Sequence, residues 1–389
     1  MADALPLAGV TVLDLSTVGP ASRCSHILAD YGATVVKVGA PPSRGGVQIE
    51  PPFFSYGAGR GTKRARIDLK APAGKAAFLA LAAGADVVIE SFRPGVADRL
   101  GIGYEAVRAV SPAIVYCSTS GYGQTGPYAA WAGHDVNYLA LGGYLACSTP
   151  RADGGPPLPG ATVADGAGGG MHAALAILAA LFRRQARGAG AYLDVAVAEG
   201  VLALMALHVD EHLATGAAPG PGSNVLTGRY ACYDSYQARD GKWLAVGAIE
   251  AAFFANLCRA LDREDLIPHQ MDDARQDEIR AAFRAAFRAR DRDDWVAELG
   301  PRDTCVAPAY AVGELAADPH LRARRVFAEA RHPTRGRFRQ LAPVLAGSDR
   351  TTTSRDVPDT GATDTVALLR AAGLAADEIE RLRQDGVVA

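Results

Sequence analysis

The sequence predicts an α/β protein with a large Rossmann-like domain on a parallel sheet, a smaller hairpin-and-helix domain, and a C-terminal return to the first. Three observations predict this. Short β-branched runs alternate with helical stretches up to about residue 118, as parallel βαβ units require. Beyond residue 233 the pattern changes to two alternating segments around Asp240-Gly241, which signals a hairpin, and then to helices. The chain has 389 residues, more than one domain of roughly 100–200 residues holds.

The elements follow in order. Residues 9–15 (GVTVLDL) form an apolar, β-branched first strand. A Gly-Pro turn leads to a helix over Ala21–Asp30, and residues 32–38 give the second strand. Residues 40–63, rich in Gly, Pro and Ser, read as loop. Ala65–Leu69 is extended and Ala71–Ala83 helical. Asp86–Glu90 and Ala113–Ser118 are strands, with helices at Val96–Leu100 and Tyr104–Val110 between them. After a Pro/Gly-rich stretch at 149–162, a glycine cluster at 165–170 opens a long apolar helix that ends near Arg187-Gly188. Val195–Leu213 is a second apolar helix, and 214–228 is loop. Tyr230–Tyr236 and Trp243–Val246 pair as the hairpin; Phe253–Leu261 and Gln276–Leu299 are helical. From about 340 the chain is loop, closed by a helix over Ala376–Gln384. The predicted boundaries are 1–195 for the large domain, 196–233 for a linker helix and loop, 234–320 for the small domain and 321–389 for the return.

Composition narrows the function classes. Apolar residues make up 49% and charged residues 21%, enough apolar material to exclude wholesale disorder. A formal charge of -2 supplies no basic field of the kind that drives nonspecific nucleic-acid binding. Six scattered cysteines without a CxxC suggest neither a disulfide scaffold nor a zinc ribbon, and a reducing compartment is the default. The start MADALPLAGVTVLDL lacks a signal-peptide pattern. The longest apolar helix, near Met171–Phe182, is shorter than a bilayer span. The expectation is a soluble, cytoplasmic protein without nucleic-acid or membrane partners.

Several constellations carry chemistry. The first strand-turn-helix invites a dinucleotide site, but Ser16-Thr17-Val18-Gly19-Pro20-Ala21-Ser22 lacks the GxGxxG spacing that lets a backbone approach pyrophosphate. His208 and Glu211-His212 match HxxEH, two histidines on one helix face that could ligate zinc, but so short a match on a mid-chain amphipathic helix reads as a solvated face, and no metal site is expected. The polar run Gly133-His134-Asp135-Val136-Asn137-Tyr138 lies between apolar stretches. Asp165 precedes the glycine cluster, and Glu250 ends the apolar run Leu244–Ile249. Carboxylates among apolar and glycine residues are candidates for a raised pKa.

The runs AGHDVNYLAL (132–141), ADGAGGG (164–170) and DGKWLAVGAIE (240–250) resemble the α-methylacyl-CoA racemases of the family III CoA-transferase (CaiB/BaiF) superfamily. LAGVTVLDLS (7–16), IDLK (67–70), ESFRPGVADRLGIGYE (90–105) and GYGQTGP (121–127) are similar to the superfamily's signatures, in order along nearly the whole chain. The resemblance implies an interlocked homodimer acting on an acyl-CoA substrate. It implies His134 and Asp165 as the two catalytic bases, with Glu250 orienting the histidine across the dimer. It implies that the backbone N–H of Asp135 faces the thioester oxygen. The resemblance further implies that the CoA moiety is held by Ile67 and Lys70 of IDLK, by Arg99, and by Gly133, Asn137 and Tyr138 of the 133–138 run.

Inverting a 2-methyl-branched α-carbon asks for these residue types. A base on one face removes the weakly acidic proton while an acid on the other returns one, so each group must visit both protonation states near neutral pH. The enolate between them needs a fixed donor, which a backbone N–H supplies. The chemistry needs no metal and no cofactor beyond the CoA of the substrate. The alternative within the superfamily is transfer of CoA between carboxylic acids, with Asp165 as a nucleophile that forms an acyl anhydride and then a CoA thioester. A noncatalytic acyl-CoA binder is a third class. Two departures from the racemase pattern stand out. Ala40 fills the place of an arginine, which passes CoA phosphate contacts to Lys37 or Arg60, and Gly228-Arg229-Tyr230-Ala231-Cys232-Tyr233 replaces GGAPFY before the hairpin, reshaping the acyl pocket.

Overall fold

A computed structural model describes residues 5–42, 54–55, 59–359 and 361–389. The chain divides into two compact units. The first comprises 1–142, 159–205 and 320–389; the second comprises 143–158 and 206–319. Residues 196–205 thus fall in the first unit and 206–233 in the second.

The first unit is built on six parallel strands: β1 (Thr11–Asp14), β2 (Thr34–Gly39), β3 (Thr62–Arg66), β4 (Val87–Glu90), β5 (Val115–Ser120) and β6 (Ala191–Ala196). Their order is β3-β2-β1-β4-β5-β6, the doubly wound arrangement. Because strand side chains alternate, neighbours in sequence enter opposite cores. Val12, Val35 and Val87 pack on one face with Leu28, Ile177 and Leu181. Leu13, Val36 and Val88 pack on the other with Phe78, Ile379 and Leu382, so the C-terminal helix completes that core. The strand order reverses between β1 and β4, where an open α/β sheet leaves a crevice beyond its carboxyl ends.

In the second unit β7 (Tyr233–Gln237), β8 (Trp243–Gly247) and β9 (Val306–Ala309) form an antiparallel sheet. The hairpin turns at Gly241, whose φ of 78° suits glycine. Helices Ala251–Ala260, Gln276–Phe287 and Arg292–Leu299 surround a core of Tyr236, Phe254, Phe283, Phe287 and Trp295.

The fold differs from expectation at five places. The predicted loop 40–63 falls largely outside the described residues, and the strand expected at Ala65–Leu69 is β3, three residues earlier. β6 (Ala191–Ala196) spans residues given no element and the first two of the expected helix, and Val195–Leu213 holds two helices, Val197–Leu204 and Ala206–Thr215. The glycine cluster is a π-helical turn, Ala164–Met171, that runs into the α-helix His172–Arg187. Together they make 24 residues, long and apolar enough by length and composition to cross a bilayer, whereas the sequence suggested a shorter stretch. Ala173, Ile177 and Leu181 of this helix are buried in the core beside β5 and β6. The stretch Gln276–Leu299 is broken after Phe287, whose carbonyl accepts from the indole N–H of Trp295 at 2.9 Å. Finally, the loop expected from about 340 holds β12 (Ser354–Asp356) and a helix at Thr365–Ala371, and before it β10 (Phe327–His332), which pairs with β12, also pairs with β11 (Gly336–Leu341).

Candidate active site

A cleft of about 550 Å³ opens at the carboxyl ends of β1, β4 and β5. Thr17, Val18 and Pro20 line it after β1, Ser91–Pro94 after β4, and Thr119, Ser120 and Gly121 at the end of β5. Trp131–His134, Asn137 and Tyr138 close another side. Arg93 and His134 are the lining residues that can carry positive charge.

His134 caps the helix Asp135–Leu141 from an extended backbone conformation. Its N–H donates to Asn137 Oδ1 at 3.0 Å, and its carbonyl accepts from the Asn137 N–H at 2.8 Å. The backbone is therefore fixed while the imidazole stays exposed. Asp135 is the first helical residue, so its N–H has no acceptor within the helix and lies at the positive end of the helix dipole. Tyr138 is buried and donates its hydroxyl to the Gly133 carbonyl at 2.6 Å. A Cβ on Gly133 would meet the Tyr138 ring at 2.7 Å, so no larger residue fits there. Burial first, then Tyr122, Asp165 and Asp135, push the Tyr138 hydroxyl up to about 12.

Asp165 lies on the first turn of the π-helical segment, half-buried. Its N–H donates to Asp135 Oδ1 at 2.8 Å, which ties this turn to the helix that His134 caps. The glycines explain how the turn can sit so close to its neighbours. A Cβ on Gly168 would meet the Val197 carbonyl oxygen at 3.0 Å, one on Gly169 the Pro20 Cβ at 2.4 Å, and one on Gly170 the Arg23 Cβ at 2.8 Å. Burial and the Asp135 charge raise the Asp165 carboxyl above its ordinary range, against the opposing pull of Arg23 and His134.

Six of the residues singled out by sequence, Gly133, His134, Asp135, Asn137, Tyr138 and Asp165, thus gather in one place. Ile67, Lys70 and Arg99 do not line the cleft: Ile67 is fully buried in the core, and the other two are exposed elsewhere. Lys37 and Arg60 are spoken for. Lys37 reaches Asp14 at 2.5 Å, Ser16 and Ser22. Arg60, only 4% exposed, holds Asp30 through two bonds and also meets Gln340 and the Leu341 carbonyl. Both side chains serve the fold, which corrects the expectation that either takes over a CoA phosphate.

Glu250 belongs to the second unit, exposed at the start of the helix Ala251–Ala260. Gln270 anchors the preceding turn by donating to the Ala248 and Ile249 carbonyls. The Cys305 thiol, raised first by burial, also feels the Glu250 charge. Arg229 forms a two-pronged pair with Asp273 and stacks over Tyr230. The His212 ring bonds the Ala217 carbonyl, and among the described residues no three His, Cys, Asp or Glu side chains converge as metal ligands.

Sequence reasoning missed the cleft's first wall, because the turn after β1 was judged only against a dinucleotide pattern. It also missed Arg23, an arginine among small residues in GPASRCS, whose setting was the available signal.

The sequence pattern of the family described as CoA-transferase family III matches residues 7–364. The chain belongs to CoA-transferase family III. It is 33% identical over 386 residues to an alpha-methylacyl-CoA racemase of Homo sapiens, covering 99% of this chain and 98% of that one. It is 32% identical over 365 residues to a succinyl-CoA–D-citramalate CoA-transferase of Chloroflexus aurantiacus, covering 88% of each. A solved CaiB/BaiF family protein from Brucella suis superposes with a TM-score of 0.77 at 28% identity, covering 95% of this chain and 99% of that one. Family III thus contains both racemases and transferases, and this chain resembles members of each kind.

Proposed function

We propose that this family III enzyme inverts the α-carbon of a 2-methyl-branched acyl-CoA by two-base proton transfer. The observation that carries the proposal is the setting of Asp165, half-buried on a turn whose N–H is tied to Asp135 at the start of the helix that His134 caps. A nucleophilic carboxylate must be ionised, whereas a group that returns a proton to carbon must hold one. Burial and Asp135 favour the protonated form, and His134 is close enough to pull the other way.

Neutral His134 takes the α-proton and becomes imidazolium. The electron pair moves onto the thioester oxygen, which the Asp135 N–H stabilises. Asp165 gives its proton to the opposite face of the carbon and is left as carboxylate. Solvent resets both groups, or the reverse reaction exchanges their roles. Removing one oxyanion donor of this kind costs ~10²–10³-fold in kcat. The CoA enters through the cleft at the sheet's carboxyl end, with Arg93 as its lining cation for the phosphates.

The proposal includes a homodimer in which Glu250 of the second copy orients His134. It is supported by the helix Ala206–Thr215, which has no buried residue although Leu207 and Leu213 are 58% and 76% exposed. Such a face in a single chain calls for a partner.

Incubation in D₂O with a 2-methylacyl-CoA and no acceptor acid tests the reading. Deuterium should enter the α-position. Absence of exchange, with CoA moving to an added carboxylic acid, would replace it by the transferase reading.

A further inference from the structure

Asp165 is flanked by two groups of opposite charge that come from different helices. On one side, Asp135 accepts the Asp165 N–H and brings a carboxylate to the same turn. On the other, Arg23 extends from the helix Gly19–Asp30 across the π-helical turn. Its Nη2 donates to Thr162 Oγ1 at 2.5 Å, three residues before Asp165. Its Nη1 lies where a Cβ on Gly166 would come within 3.9 Å, one residue after Asp165. The guanidinium therefore spans the turn that carries the carboxyl group. The absence of a side chain on Gly170 makes this approach feasible, since a Cβ there would strike the Arg23 stem at 2.8 Å.

We propose that Arg23 is a positioning residue for Asp165, a cation that offsets Asp135 and keeps the carboxyl group able to give up its proton as well as hold it. This rests on the proton-transfer reading. Burial and Asp135 both favour the protonated form of Asp165, which suits protonating the enolate and opposes removing a proton in the reverse direction. A two-directional catalyst needs the two states balanced. His134 contributes to that balance only when protonated, which alternates during turnover, whereas Arg23 is always charged. Tyr138 faces the site as a neutral hydroxyl. The other two helices packed on the turn, Val197–Leu204 and His172–Arg187, carry Glu199 on the first and His172, Arg183, Arg184 and Arg187 on the second, none of them among the charges that act on Asp165.

The test is a carboxyl ¹³C titration of the full-length protein, with Asp165→Asn to assign the signal. Arg23→Met keeps the stem and removes the charge; it should raise the Asp165 midpoint by about one pH unit, a tenfold change in proton affinity. Asp135→Asn keeps the acceptor oxygen and should lower the midpoint. The double variant should return towards the parent, and Arg23→Lys should stay near it. The pH profile of α-proton exchange should move with the midpoint in the direction that removes a proton from substrate. An unmoved midpoint in Arg23→Met, or a shift in Arg23→Lys equal to that in Arg23→Met, overturns the role of Arg23. A parent protein that exchanges no α-proton overturns the function instead, and the titration still reads Arg23 independently.

Discussion

Gly200→Ala tests whether the close helix packing around Asp165 is what activity depends on. A Cβ at this position would lie 1.8 Å from the carbonyl oxygen of Gly168 and 2.5 Å from its carbonyl carbon. Since ordinary contact begins near 3.4 Å, the two backbones must separate by about 1.5 Å in a region packed to crystal-like density. The clash is backbone against backbone, so no rotamer relieves it. Overpacking of this kind costs about 1–3 kcal/mol. Gly168 lies three residues beyond Asp165 on the same turn, so the displacement passes to the carboxyl group. A misplacement of about 1 Å can cost about 10²-fold in rate. Thermal melting and α-deuterium exchange, measured on the same preparation, should show a Tm lower by several degrees and exchange down about 10²-fold. Gly313→Ala is the control, because its Cβ meets nothing within 4 Å. A Gly200→Ala protein with the parental melt and the parental exchange rate would refute the argument.

His134→Ala should abolish exchange without changing the melt, because the imidazole is exposed and the residue caps its helix through backbone atoms; near-normal turnover would end the two-base mechanism. Asp165→Asn should also abolish exchange but melt higher than the parent at neutral pH. Its carboxyl is raised in the folded state, so the stability it contributes is complete below the ordinary carboxylate range and is lost as pH rises through the folded value. The Tm difference should therefore close in acid, and a variant that melts lower at pH 7 counts against a strained carboxylate.

The strands of the first unit were readable where apolar runs stood between turn signals, as in β1, β2, β4 and β5. β6 was not, because its sequence AYLDVA passes into a helix at Val197 with no break in apolar character. The β10–β11 hairpin was hidden by arginines, which occupy Arg331, Arg337 and Arg339 on strands where β-branched residues would have signalled extension. Of the site, His134 and Asp165 were visible as polar residues in the wrong company. What surrounds them was not: the π-helical turn has no sequence signature of its own, and Arg23 is separated from Asp165 by more than a hundred residues. The Lys37 and Arg60 expectations failed for a related reason. A lone cation in sequence gives no hint that a buried carboxylate such as Asp14 or Asp30 already claims it.

Racemase and transferase chemistry differ here by the fate of one proton on one carboxyl group. Attack on a thioester carbonyl by Asp165 needs the carboxylate, and any cation near it helps. Proton return to carbon needs the acid, which a nearby cation makes less populated but readier to give up its proton. The chain contains both influences, Arg23 on one side and Asp135 with burial on the other, and the second set prevails. The same reasoning gives the glycine cluster a purpose without phosphate. Gly168, Gly169 and Gly170 let the helices that begin at Val197 and Gly19 press against the turn. That pressure removes water from Asp165, and removal of water is the largest influence favouring its protonated form. A substitution that loosens this packing should therefore favour the ionised carboxylate and move the site towards nucleophilic behaviour. In that case a covalent adduct at Asp165 would form in Gly200→Ala incubated with acyl-CoA more readily than in the parent.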